Sequence, residues 1–247
     1  GIGISVSSRM PKNYHFYARN TIRSCYHWGA QLQGEKGGIA YHYFYKCRFL
    51  NTLVGHASVK YKGDEGNGFR TNGNVKHLVF EECEFSDNGK LGLQLGGANV
   101  DSLSFVRCSI KNNKLGAVSG PHDYSHVEWV DCSVEGNGRD KLPPAKPFPA
   151  PPPTSSFAVA ASARVGEPVT FKSTANAAKG KIAAVMWDFG DGIPVIEPQA
   201  SHTYNEPGDY RVTLLVWDNE GRGARGEKLV HVAPILAAKP RNEHPLE

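Results

Sequence analysis

Five stretches of the first half of the chain align on one pattern: His15-Phe16-Tyr17-Ala18-Arg19-Asn20-Thr21-Ile22, His42-Tyr43-Phe44-Tyr45-Lys46-Cys47-Arg48-Phe49, Leu78-Val79-Phe80-Glu81-Glu82-Cys83-Glu84-Phe85, Leu103-Ser104-Phe105-Val106-Arg107-Cys108-Ser109-Ile110 and Val127-Glu128-Trp129-Val130-Asp131-Cys132-Ser133-Val134. Taking the cysteine (Asn20 in the first copy) as origin, position −3 holds Tyr17, Phe44, Phe80, Phe105 and Trp129, and position +2 holds Ile22, Phe49, Phe85, Ile110 and Val134. A large apolar residue at the same place in every copy predicts an interior ladder, because such a unit buries its apolar side only against its neighbours in a stack. Position +5 holds Cys25, Thr52, Asn88, Asn113 and Asn137, short side chains that suit a sharp turn and can hydrogen-bond along the stack. After each turn a second short strand is expected, at Ala30-Gln31-Leu32, Ala57-Ser58-Val59, Leu93-Gln94-Leu95 and Ala117-Val118-Ser119. Its flanking residues would point inward and its middle residue outward.

Composition agrees with short strands and tight turns: Gly (27) and Pro (16) are plentiful, and an all-β chain follows. The origins at 20, 47, 83, 108 and 132 are separated by 27, 36, 25 and 24 residues. The long interval marks an insertion, assigned to Lys62 through Gly73, and insertions in stacked repeats map to loops on one face. This arrangement resembles the right-handed parallel β-helix proteins, a group that includes pectate and alginate lyases, polygalacturonases and mannuronan epimerases. The resemblance implies rungs over residues 1–140, whose upstream face calls for a cap or for further rungs of a parent protein as partner. The cysteines (5, an odd number) fall in the repeat, where they read as small buried fillers rather than disulfide or zinc ligands.

Residues 141–155 follow as a proline-rich linker, with seven prolines between Lys141 and Pro153, expected to form an extended, semi-rigid spacer. Beyond it, Val169-Thr170-Phe171, Ala184-Val185-Met186-Trp187 and the stretch from Tyr210 to Val216 read as sandwich strands. The series Trp187-Asp188-Phe189-Gly190-Asp191-Gly192, His202-Thr203-Tyr204, Pro207-Gly208-Asp209-Tyr210 and Trp217-Asp218-Asn219-Glu220-Gly221 resembles the PKD domain. That resemblance implies an immunoglobulin-like β-sandwich over residues 156–234 that spaces or attaches, in a secreted or cell-surface protein. A tail of residues 235–247 ends on Leu246-Glu247, which carries no weight here as a candidate tag scar. Asp188 and Asp191 are read as turn-capping carboxylates; calcium is the one cofactor that their clustered oxygens leave open, and no metal ligand is assigned.

A formal charge of +4 over 247 residues without a basic block argues against nucleic acid as partner, and no apolar run is long enough to span a membrane. The expected ligand is a polysaccharide or cell-surface glycan lying along outward positions of the second strand. Substrate-binding candidates are Gln31, Gln33 and Gln94 on that strip, Lys62 in the insertion, His122 and Asp123 in a later turn, and Trp28 as a stacking platform. For a lyase acting on uronic acids, a cation must neutralise the substrate carboxylate and a base must remove the α-proton. His56, Lys60 and Arg70 are the candidates for those catalytic roles. A hydrolase needs two facing carboxyls, for which Asp64 or Glu65 with Asp123 is the visible choice. The rival reading is a non-catalytic adhesion or glycan-binding rod.

Overall fold

A computed structural model describes residues 4–8, 14–54, 65–97, 99–120, 124–159, 163–192 and 194–235. The chain is all-β. Among the described residues, every strand pairing within 4–135 is parallel and joins one repeat unit to the next. Three ladders result. The first runs through Ile4–Ser8, the leading arms of Trp28–Tyr45 and Asn67–Glu81, then Leu91–Leu95 and Gly116–Ser119. The second runs through His15–Ala18, the trailing arms of the same two long strands, Asn99–Val106 and Val127–Val130. The third joins Thr21–Arg23, Arg48–Leu50, Glu84–Ser86, Ser109–Lys111 and Ser133–Glu135.

The corners between ladders repeat as strictly as the strands. Arg19, Lys46, Glu82, Arg107 and Asp131, each one residue before the origin, have φ between 51 and 57°, in the left-handed region that costs a side-chain-bearing residue about 1–2 kcal/mol. The same column carries this strain in every unit because only that bend turns the chain from one ladder into the next. Where the two long strands bend, Gly73 has φ 78°, and a Cβ on it would sit 1.9 Å from the Gly34 carbonyl oxygen. Glycine is required there.

Inside, the expected ladders are present. Tyr17, Phe44, Phe80, Phe105 and Trp129 stack face to face with centroid separations of 4.5, 4.8, 4.9 and 4.2 Å. Phe49 and Phe85 stack at 5.1 Å in the second column. The turn column is a hydrogen-bonded chain: Thr52 Oγ1 donates to Asn88 Oδ1 (2.9 Å), Asn88 Nδ2 to Asn113 Oδ1 (2.8 Å) and Asn113 Nδ2 to Asn137 Oδ1 (2.7 Å). Each amide also donates back to a carbonyl of the preceding unit, Asn88 to Phe49 and Asn113 to Phe85, so these two buried amides of the turn column are paired.

The cysteine column does more than fill space. The thiols of Cys47, Cys83, Cys108 and Cys132 donate to the carbonyls of Tyr17, Phe44, Phe80 and Phe105 at 3.2–3.4 Å. All five cysteines are free, and burial pushes the Cys83 thiol well up. A buried thiol held neutral is a poor nucleophile. Iodoacetamide is therefore expected to leave Cys47, Cys83 and Cys108, each 1% exposed, unlabelled in the native protein and to label all five in denaturant. Labelling of Cys83 at the native rate of an exposed thiol would overturn this column.

One sequence expectation is corrected in register. Ala57-Ser58-Val59 was expected to match Ala30-Gln31-Leu32, but Phe69-Arg70-Thr71 pairs with those three residues. The reason is packing: Phe69 is fully buried against Phe44, Phe49 and Phe80, a volume no residue of 57–59 supplies. Residues 67–73 are thus part of the repeat, and the extra residues of the long interval precede them.

Residues 157–233 form a sandwich. Phe157–Val159, Pro168–Ser173 and Gln199–Thr203 make an antiparallel sheet. The facing sheet contains Ile182–Asp188, Pro194–Val195, Gly208–Asp218 and Gly223–Ala233 in antiparallel pairs, with Ala163–Arg164 added in parallel. Trp187 fills its centre, fully buried, and donates its indole N–H to the Glu197 carbonyl at 2.7 Å.

The sandwich does not hang from a tether. Ala184, Met186, Leu215 and Trp217 pack against Tyr41, Tyr43, Tyr45 and Val79 on the outer side of the second ladder. Arg225 completes the contact: it pairs with Glu81 at 2.9 Å and lies 3.6 Å over the Tyr45 ring. Glu81 also accepts from Arg107 (2.6 Å) and the Tyr43 hydroxyl (2.9 Å); burial, with Glu81 beside it, holds the Tyr43 phenol well above its usual range. Gly221, at φ 87°, comes so close that a Cβ would lie 1.9 Å from His77 Nδ1. The proline-rich segment is pinned as well, since Lys146 exchanges backbone hydrogen bonds with Val127 (2.9 and 3.0 Å) and Phe148 stacks on His126 at 4.9 Å. It was expected to be an extended, semi-rigid spacer. Prolines forbid a regular ladder, but Lys146 and Phe148 between them retain the groups needed to dock.

Candidate functional site

With the second ladder covered by the sandwich, the outward side of the first ladder becomes the surface of interest. Its register places Gln31 beside Arg70, Arg70 beside Gln94 and Gln94 beside Ser119. One polar side chain per unit therefore lines up across neighbouring strands, at the roughly 4.8 Å spacing of any sheet. The alternation that points Leu32, Phe69, Leu93 and Leu95 inward, all fully buried, points these four outward.

Arg70 thus belongs to the strip itself, between the two glutamines, and not to an inserted loop. Its guanidinium lies 4.8 Å over the Trp28 ring, a cation–π contact that fixes a long side chain before any ligand arrives. Trp28 is only 3% exposed, which corrects its expected role as a sugar-stacking platform: the ring is the bed for Arg70. Gln31 is also buried, at 6% exposure. It donates from Nε2 to Gln33 Oε1 at 2.7 Å, while its own Oε1 has no hydrogen-bond partner. Gln94 accepts at Oε1 from Asn67 Nδ2 (2.9 Å), and Asn67 in turn accepts from the Leu91 backbone N–H. Asn67 was missed in the sequence because the insertion was taken to contain it. The recurrence of Gln, Arg and Gln at one outward position was the signal available.

The chemistry these groups offer is recognition. A half-buried guanidinium binds a carboxylate through paired charge-assisted hydrogen bonds, and primary amides at fixed spacing match sugar hydroxyls. His56, Lys60, Lys62, His122 and Asp123 lie outside the described residues, as does Asp64. Glu65 is described and buried, at 8% exposure. In the sandwich turn, Asp188 Oδ1 accepts from the Gly190 N–H (2.9 Å) and Asp191 pairs with His202 (2.7 Å), so these carboxylates are occupied separately. Among the described residues no group of three or more His, Cys, Asp or Glu side chains is placed to hold a metal ion, and no helix is long and apolar enough to cross a membrane.

Comparisons with known proteins bear on the sandwich. A microbial collagenase of Vibrio alginolyticus is 34% identical over 84 residues, which are 34% of this chain and 10% of that protein. The chain spans a tenth or less of the length of the collagenases it matches. Among solved structures, the PKD1 domain from the Vibrio cholerae metalloprotease PrtV is 27% identical, covering 33% of this chain and 96% of that one, with a TM-score of 0.31. A structure described as carbohydrate-binding modules from the beta-sandwich superfamily is 30% identical, covering 34% and 35%, with a TM-score of 0.33. The family model that matches is described as PKD domain, over residues 150–233. The sandwich docked on the parallel ladders is the part of the chain that matches the PKD domain model.

Proposed function

We propose that this chain is the glycan-holding part of an extracellular protein that works on acidic polysaccharide. In this reading its first half is a right-handed parallel β-helix, and the PKD domain serves as a fixed buttress for it. The observation that carries the reading is the outward column Gln31, Arg70, Gln94 and Ser119, one residue per unit across parallel strands in register. An extended polymer repeats at a spacing commensurate with such a column, and a single immobilised arginine within it favours a chain bearing carboxylates. The matched collagenases support a place outside the cell, because they carry the same module beside degradative chemistry.

The finer reading is uronate β-elimination. Arg70 would neutralise the substrate carboxylate and so stabilise the enolate-like charge that develops when the α-proton leaves; the base would come from His56 or Lys60. Pectin, alginate and glycosaminoglycans should be screened both for binding, by affinity electrophoresis, and for the ultraviolet absorbance of an unsaturated uronate. Binding to at least one is expected, weakened about tenfold by Arg70→Ala, the loss of one charge-assisted contact. Absorbance growth that disappears in Lys60→Ala or His56→Ala would establish elimination. Binding without absorbance would leave the binding rod, and no binding to any of the three would sink the proposal.

A further inference from the structure

The outward column does not stop at Gln94. Ser119, its register neighbour, forms the lip of a groove of about 490 Å³ whose other walls are Val118, Arg139, Lys141, Leu142 and Pro143, a volume within the ~300–1,000 Å³ of ligand clefts. One wall comes from the last unit of the repeat and the other from the start of the proline-rich segment.

This groove has the makings of a built site. Arg139 and Lys141 are exposed and form no ion pair with any described residue. Asp140, the carboxylate between them, is consumed elsewhere: it accepts from the backbone N–H of Asn137 (2.9 Å) and from Asn137 Nδ2 (2.6 Å), closing the asparagine chain. Those hydrogen bonds hold its carboxyl below the usual range. The walls are also fixed in advance. The Ala117 N–H donates to the Arg139 carbonyl at 2.9 Å, and the pairing of Lys146 with Val127 anchors the proline-rich strand further on. Pro144, exposed at the same groove, gives an apolar surface of the kind that the C–H face of a pyranose packs against, while Ser119 offers a hydroxyl and the two cations line the same groove.

We infer that this groove is a second subsite for the acidic glycan, taking one or two uronate residues beyond those held by Arg70 and Gln94, with Arg139 and Lys141 as carboxylate receptors. The inference rests on the reading of the strip as a glycan track and gives that track a direction and an end. Two sheet spacings, about 10 Å, separate Arg70 from Ser119, so a trisaccharide is filled by the strip whereas a hexasaccharide reaches the groove.

Calorimetric titration of the whole chain with tri- and hexasaccharides of galacturonate, mannuronate and chondroitin, with cellohexaose as the uncharged control, separates the two sites. The wild type should bind one hexasaccharide series better than its trisaccharide. In Arg139→Ala/Lys141→Ala that length-dependent gain should vanish, about a tenfold loss for the hexasaccharide, with trisaccharide binding and melting temperature unchanged. A double variant that binds the hexasaccharide as tightly as wild type, while Arg70→Ala weakens it, overturns the groove and leaves the strip standing. A wild-type chain that binds none of the acidic oligomers overturns both.

Discussion

Phe80→Ala is expected to destabilise the protein by about 3–5 kcal/mol, the range for removing a fully buried aromatic side chain. Phe80 is the middle ring of the interior ladder, stacked at 4.8 Å on Phe44 and 4.9 Å on Phe105, with Phe69 edge-on at 4.9 Å. It is completely buried, so nothing but a void replaces it. In a stack each unit is held chiefly by its two neighbours, so losing the central ring weakens both junctions at once. Guanidinium denaturation of Phe80→Ala and Phe80→Leu checks this, the leucine variant being expected to recover more than half of the loss. A cost below about 1 kcal/mol would mean that the ladder is not a continuous core.

The second large effect is expected at Asp218. Its carboxylate and the Arg222 guanidinium are 0% and 1% exposed and stand 2.5 Å apart. The contact is ionic rather than an aligned hydrogen bond. The same carboxylate accepts from the backbone N–H groups of Glu220 and Arg222 at 3.0 Å, so it closes the turn that carries Gly221 onto His77. Arg222 reaches on to donate to the Ala150 carbonyl. Removing one member of a buried pair leaves an uncompensated charge and typically costs about 3–5 kcal/mol. Asp218→Ala should cost that much. Asp218→Asn, which keeps an acceptor for the turn amides, should cost less and thereby separate the charge from the cap. Equal, small losses in both variants would show that Arg222 is satisfied by Ala150 alone. Because the turn forms part of the contact with the ladders, the same variants should loosen the docked sandwich, read as faster hydrogen exchange at Tyr43 and Tyr45.

Much of the architecture was legible in the residues. Columns of Phe and of Asn at constant offset specify stacked parallel units, since neither a buried ring nor a buried amide can be satisfied within one unit. The Trp-Asp-Phe-Gly-Asp-Gly series with its downstream companions likewise pointed to the sandwich that the family model matches over residues 150–233. The site was less legible. Gln31 and Gln94 share one register column through Arg70, but Arg70 was put in a loop, because a repeat interval of 36 residues does not say which side of a strand the extra residues occupy. The arbiter was volume: Phe69 fills the interior against Phe44, Phe49 and Phe80.

By itself the sequence determined what each repeat unit must bury, and hence the ladders, the turns and which residues face outward. Only the tertiary structure decided what covers those outward faces. Tyr41, Tyr43 and Tyr45 alternate with inward residues as any surface row would, and it is Trp217, Leu215 and Met186 of the sandwich that bury them. The partners lie more than a hundred residues away along the chain. Local pattern reports the direction of a side chain through strand alternation, but burial on the outer face depends on a distant surface of matching shape. For the same reason Trp28 became the bed of Arg70 rather than a sugar platform, and the proline-rich segment became the wall of a groove.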